Sequence, residues 1–99
     1  MTRYINSDYN QYVTVGASST LHSGAGKILA IILTCSSSTP ETTTLYDNTA
    51  ASGNVLMNLA VSSAAPLVIQ FSAEKAPVFS TGLHVVTAAN TEAFIITEA

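Results

Sequence analysis

The sequence predicts an all-β fold: a single antiparallel β-sandwich, jelly-roll or Ig-like, of about eight strands with little or no helix. Three observations lead there. β-branched and aliphatic runs recur at roughly 8–12-residue spacing, each closed by Gly, Pro, Asn or Ser. No stretch of helical length carries a 3.6-residue apolar period bounded by caps. The chain has 99 residues, 47 % of them hydrophobic, enough for one two-layer core and too few for a second.

The elements follow in order. Tyr12-Val13-Thr14-Val15 is the first strand and stops at Gly16. Ser23 to Gly26 reads as a tight turn. Lys27 to Cys35 is the longest strand: Leu29, Ile31 and Leu33 share one face, and Ile28, Ala30, Ile32 and Thr34 the other. Both faces are apolar, which predicts a central strand covered on both sides. Ser36 to Pro40 is a loop. Thr43 to Asp47 is β-branched and aromatic, hence a strand. Ser52-Gly53-Asn54 marks a turn, after which Val55, Met57, Leu59 and Val61 alternate with Leu56, Asn58 and Ala60. Leu67, Ile69 and Phe71 then alternate with Val68, Gln70 and Ser72. Pro66 and Pro77 fall at strand ends, where a missing N–H does least harm. Val78 to Ser80 is a short strand, Leu83 to Thr87 another, and Ala93 to Thr97 the last. The expected core is Leu29, Ile31, Leu33, Leu45, Val55, Met57, Leu59, Leu67, Ile69, Phe71, Leu83, Val85 and Phe94.

Residues 1–11 lack this periodicity and are assigned to an N-terminal arm, with the sandwich spanning 12–99. Tyr4, Tyr9 and Tyr12 are the candidate interface residues, since tyrosine buries a large ring and keeps a polar tip. A frayed terminus is the alternative for the arm.

Composition narrows the function. Charged residues are 9 % of the chain, against roughly 25 % in a typical domain. Ser and Thr fill the gap. A surface so short of charge has little repulsion to keep copies apart. It suits a chain covered by neighbours in an assembly, the alternative being a soluble monomer with a neutral surface. Arg3, Lys27 and Lys75 are isolated, so no cationic stripe exists for nucleic acid. Ile28 to Leu33 is the longest aliphatic stretch, far too short for a membrane span. No secretory h-region opens the sequence. The single Cys35 follows an apolar run and reads as an inert packed thiol.

Gly24-Ala25-Gly26-Lys27 has the look of a phosphate loop and fails as one. The Walker pattern needs glycine where Leu21 stands and a hydroxyl where Ile28 stands. A dinucleotide fingerprint needs glycine at Leu29. A β-type run follows, so no helix N-terminus faces a ligand. No cofactor is expected. Nor does local sequence mark a catalytic site: His22 and His84 lie outside any nucleophile elbow. His22, Cys35 and His84 sit in separate segments without metal-ligand spacing, so no metal is expected. Asp47, Asn48 and Ser52 lack the repeated acids of a calcium loop.

Thr43-Thr44-Leu45-Tyr46-Asp47-Asn48-Thr49-Ala50-Ala51-Ser52-Gly53 resembles a TLYDN-x-A-A-SG segment of small β-sandwich virion proteins of tailed bacteriophages. The likeness extends to the glycine turn and aliphatic strand of Ser23 to Leu33 and to Gly82-Leu83-His84-Val85-Val86, and covers residues 16–97. It implies a non-enzymatic structural component of the virion, assembled in the host cytoplasm: a capsid cement or decoration subunit, or a head–tail or fibre accessory. The implied partners are sister copies, with a trimer favoured, and the major capsid protein or another virion protein. The matched residues are strand ends and turns, so no functional site comes with them. A carbohydrate- or receptor-binding module on the same fold, using loop aromatics, is the alternative.

Overall fold

The computed structural model describes residues 8–72 and 74–98. Its strands are β1 (Asp8–Val13), β2 (Ser18–Ser23), β3 (Gly26–Cys35), β4 (Glu41–Asp47), β5 (Asn54–Val61), β6 (Leu67–Gln70), β7 (Val78–Phe79), β8 (Gly82–Val86) and β9 (Thr91–Glu98). No helix occurs among the described residues. One sheet has the order β1-β9-β3-β6, with β7 also paired to β3; the other has the order β2-β8-β4-β5. Every pairing is antiparallel. The first and last strands lie side by side, and connections cross repeatedly between the sheets. This is the double Greek key of a jelly roll, so the all-β sandwich expected from the sequence is the fold.

The core lies between the sheets. Ile28, Ile31, Leu33, Leu45, Leu83, Val85 and Ile95 are fully buried, with Val13, Val61 and Phe79 nearly so. Ile31, Leu33, Leu45, Leu83 and Val85 were expected there. Leu29, Met57, Leu59, Leu67, Ile69 and Phe71 are only half-buried, and Val55 is exposed. Two departures have a clear cause. On β3 the register against β9 shifts between Ile28 and Ala30. This irregularity lets Ile28 and Ile31 both face inward, against strict alternation. On β9 the inward set is Thr91, Ala93, Ile95 and Thr97, so Phe94 lies on the opposite face from the one expected. Both faces of β9 carry apolar residues, and alternation alone cannot choose between them.

Strand β2 was not expected. Its sequence, SSTLHS, is poor in β-formers, and Leu21 is its sole buried apolar side chain. Pairing with β8 along Ser18–Ser23 holds it in place, a tertiary override of weak propensity. Strand β1 begins at Asp8, so residues 8–11, assigned from sequence to the arm, pair with β9 instead.

The Gly-Lys turn carries the chain from one sheet to the other. Gly24 has φ 98°, a conformation open to glycine, and its N–H donates to the Thr81 carbonyl at 2.8 Å. At Gly26 an added Cβ would stand 2.8 Å from Phe79 Cζ and 2.9 Å from the Glu98 carbonyl oxygen. These two glycines serve a corner and a close packing contact.

Candidate functional site

The outer face of the β1-β9-β3-β6 sheet carries an apolar row that the sandwich leaves uncovered. Register places Tyr12 beside Phe94, Phe94 beside Ile32, and Ile32 beside Val68. The row therefore crosses all four strands, one residue from each. Tyr12 is 58 % exposed and Val68 64 %; Ile32 and Phe94 are half-buried. The next row along the strands places Ile96 beside Ala30 and Ala30 beside Gln70. Alternation explains the arrangement: Val13, Ala93, Ile31 and Leu33 point into the core, so their neighbours point out.

Polar groups bound this patch at both ends. At one, the Tyr12 hydroxyl donates to Glu92 Oε2 at 2.6 Å. That bond to the carboxylate, with some desolvation, raises the Tyr12 pKa above the ordinary phenol value. A depression of about 230 Å³ lies here between Tyr12, Ile32, Thr34, Glu92 and Phe94. At the other end Lys27 Nζ stands 3.3 Å from Glu98 Oε1. Of the three tyrosines marked in the sequence, Tyr12 is in this row. Tyr9 occupies the β1 position opposite Thr97, and Tyr4 lies outside the described residues.

The outer face of the other sheet is polar and centred on His84, only 8 % exposed. Ser18 Oγ lies 2.6 Å from its Nε2 and Thr20 Oγ1 lies 2.7 Å from its Nδ1. Thr20 has one hydroxyl proton, donated to the Thr49 carbonyl at 3.0 Å. One arrangement satisfies all three contacts: Nδ1–H donates to Thr20, and Nε2 accepts from Ser18. Sequence reading missed this cluster, because its members are distant in the chain and meet only through the β2–β8 ladder. A hydrolytic triad needs an acid behind the imidazole and donors around a reacting carbonyl. Here a threonine hydroxyl takes the acid's place. The cluster ties β2 to β8 and to the Thr49 loop.

Two carboxylates hold loops at opposite ends of β4. Asp47 accepts from the N–H groups of Ser80 at 3.1 Å and Thr81 at 2.9 Å, and from the Ser80 hydroxyl at 3.3 Å. The Thr81 and Ser80 backbone bonds hold its pKa below the usual carboxylate value. Glu41 accepts from Asn90 Nδ2 at 2.8 Å, the Asn90 N–H at 3.0 Å and the Thr91 hydroxyl at 3.0 Å. The Asn90 bonds lower its pKa likewise. The Thr43-to-Gly53 segment is thus a structural corner. Leu45 fills the core and Asp47 clamps the β7–β8 turn. Asn48 Nδ2 donates to the Ser52 carbonyl at 2.8 Å, and Gly53 takes φ 85°.

His22 Nε2 lies 3.2 Å from the Ala25 carbonyl, and its ring meets Phe79 edge-on. Cys35 is a half-buried free thiol. Among the described residues no group of three His, Cys, Asp or Glu side chains gathers as a metal site requires. No described helix is long and apolar enough to cross a membrane. No family model matches the chain, and no curated protein matches it either.

Proposed function

We propose that the chain is a non-enzymatic structural subunit of a phage virion, of the capsid cement or decoration kind, working as an oligomer on the major capsid protein or another virion protein. One observation carries this reading. Strand β3 is apolar on both faces, yet the sandwich covers only one of them, leaving Ile32 in a row with Tyr12, Phe94 and Val68. A contiguous apolar patch rimmed by polar groups is the signature of a protein–protein contact. The charge-poor composition points the same way, because interface cores are depleted of charge. The phage-like Thr43-to-Gly53 segment supplies the virion setting.

The test is composition of the particle. Virions purified from the source should contain the chain at a fixed ratio to the capsid protein. Finding it free in the lysate and absent from purified virions overturns the reading.

The polar face around His84 supports a second reading, a sugar-binding module. Tyr46 lies there with its ring centroid 6.5 Å from that of His84, and Thr44 Oγ1 donates to Asn58 Oδ1 at 2.8 Å. An aromatic ring among hydroxyl and amide groups suits a saccharide. Glycan-array binding that Tyr46→Ala abolishes would favour it.

A further inference from the structure

We propose that the outer face of the β1-β9-β3-β6 sheet binds a second copy of this chain, face to face, about a two-fold axis running parallel to the strands between β9 and β3. The inference deepens the assembly reading and rests on it. It replaces the trimer that the resemblance favours with a closed pair.

The face is self-complementary. A two-fold axis in that position lays β9 over the partner's β3 and β1 over its β6. The apolar row then meets itself in reverse. Phe94 of each copy lies over Ile32 of the other, and Tyr12 over Val68, so each aromatic ring covers an aliphatic side chain. In the next row the large Ile96 lies over the small Ala30. The same axis brings Lys27 of one copy over Glu98 of the other. The intrachain Lys27–Glu98 pair, 3.3 Å apart, becomes one side of a square of alternating charge. Glu92 comes opposite Thr34, whose hydroxyl can donate to a carboxylate. An axis perpendicular to the strands within the face does the opposite: it lays β9 over β9, bringing Glu92 toward the partner's Glu98. Charge and size therefore select one orientation. The pairing also gives β3 the second covered face that its sequence implies.

Cysteine cross-linking tests the register directly. Stacked sheets lie about 10 Å apart, beyond the reach of a disulfide, so a short bis-maleimide bridges the two thiols. In a Cys35→Ser background, Tyr12→Cys and Val68→Cys proteins are treated with it separately and as a mixture. The mixture should give a covalent pair joining the two variants, and neither alone should do so. Sedimentation should show the unmodified chain as a dimer. Ile32→Lys should make it a monomer with an unchanged circular dichroism spectrum and a melting temperature that no longer depends on concentration. A Val68→Cys protein that cross-links to itself overturns the proposed orientation. A monomeric full chain at high concentration overturns the pairing. If that monomer is nevertheless present in purified virions, the assembly reading stands without it. If it is absent from them, both fall.

Discussion

The Thr81 N–H donates to Asp47 at 2.9 Å, so a carboxylate ending β4 fixes the turn that opens β8. Asp47 and Glu41 both have folded pKa values below their ordinary ones. In the unfolded chain they bind protons at higher pH than in the fold. Their stabilisation is therefore complete above the unfolded carboxylate range, about pH 4. It fades as pH falls through the folded values. The melting temperature should fall on acidification in that window. Asp47→Asn and Glu41→Gln should each melt lower at pH 7 and show a shallower acid dependence. Acid profiles parallel to that of the unsubstituted protein would remove both clamps from the account.

The β3 irregularity makes a pair of neighbours unequal. Ile28 is fully buried and Leu29 half-buried, although alternation from Ile31 favours Leu29. Ile28→Ala should cost about 2–5 kcal/mol in urea or thermal unfolding, the range of a core truncation. Leu29→Ala should cost markedly less. The reverse order would mean that β3 runs in regular alternation.

Thr43 Oγ1 is buried without a hydrogen-bond partner. An unsatisfied buried hydroxyl costs about 1–3 kcal/mol of desolvation. Valine has nearly the same shape and the same β preference. Thr43→Val should leave the melting temperature unchanged or raise it. A clear fall would reveal a partner for that hydroxyl.

Strand identity was legible wherever β-branched or aliphatic residues dominate, as in β3, β4 and β9. It was not legible in β2, where Leu21 is the one apolar anchor and the ladder to β8 supplies the rest. Which face of β9 turns inward was also hidden, since Phe94-Ile95-Ile96 is apolar on both sides. The surface follows the same logic. That β3 needs cover on two faces was readable from Ile28 to Leu33. That Tyr12, Phe94 and Val68 join Ile32 is a product of register across four strands. The His84 cluster was invisible for a related reason: Ser18 and Thr20 reach it only through pairing between residues far apart in the chain.

Where β1 starts decides what a terminal truncation does. An arm over residues 1–11 lying outside the sandwich would make their deletion harmless to the fold. The ladder instead pairs Asp8 with Glu98, Tyr9 with Thr97, Asn10 with Ile96 and Gln11 with Ile95. Gln11 Nε2 also donates to the Leu21 carbonyl at 2.7 Å, tying β1 to β2 of the other sheet. Removing 1–11 therefore strips four rungs from the edge of β9 and severs a tie between the layers. Removing 1–7 touches none of these contacts. The shorter deletion keeps every one of them and should melt cooperatively. The longer one should lose several kcal/mol, on the order of a strand's worth of ladder bonds and packing, with faster amide exchange along β9. Equal stability of the two truncations would mean that residues 8–11 contribute nothing to the sandwich, and that the arm extends to Gln11 as the sequence alone implied.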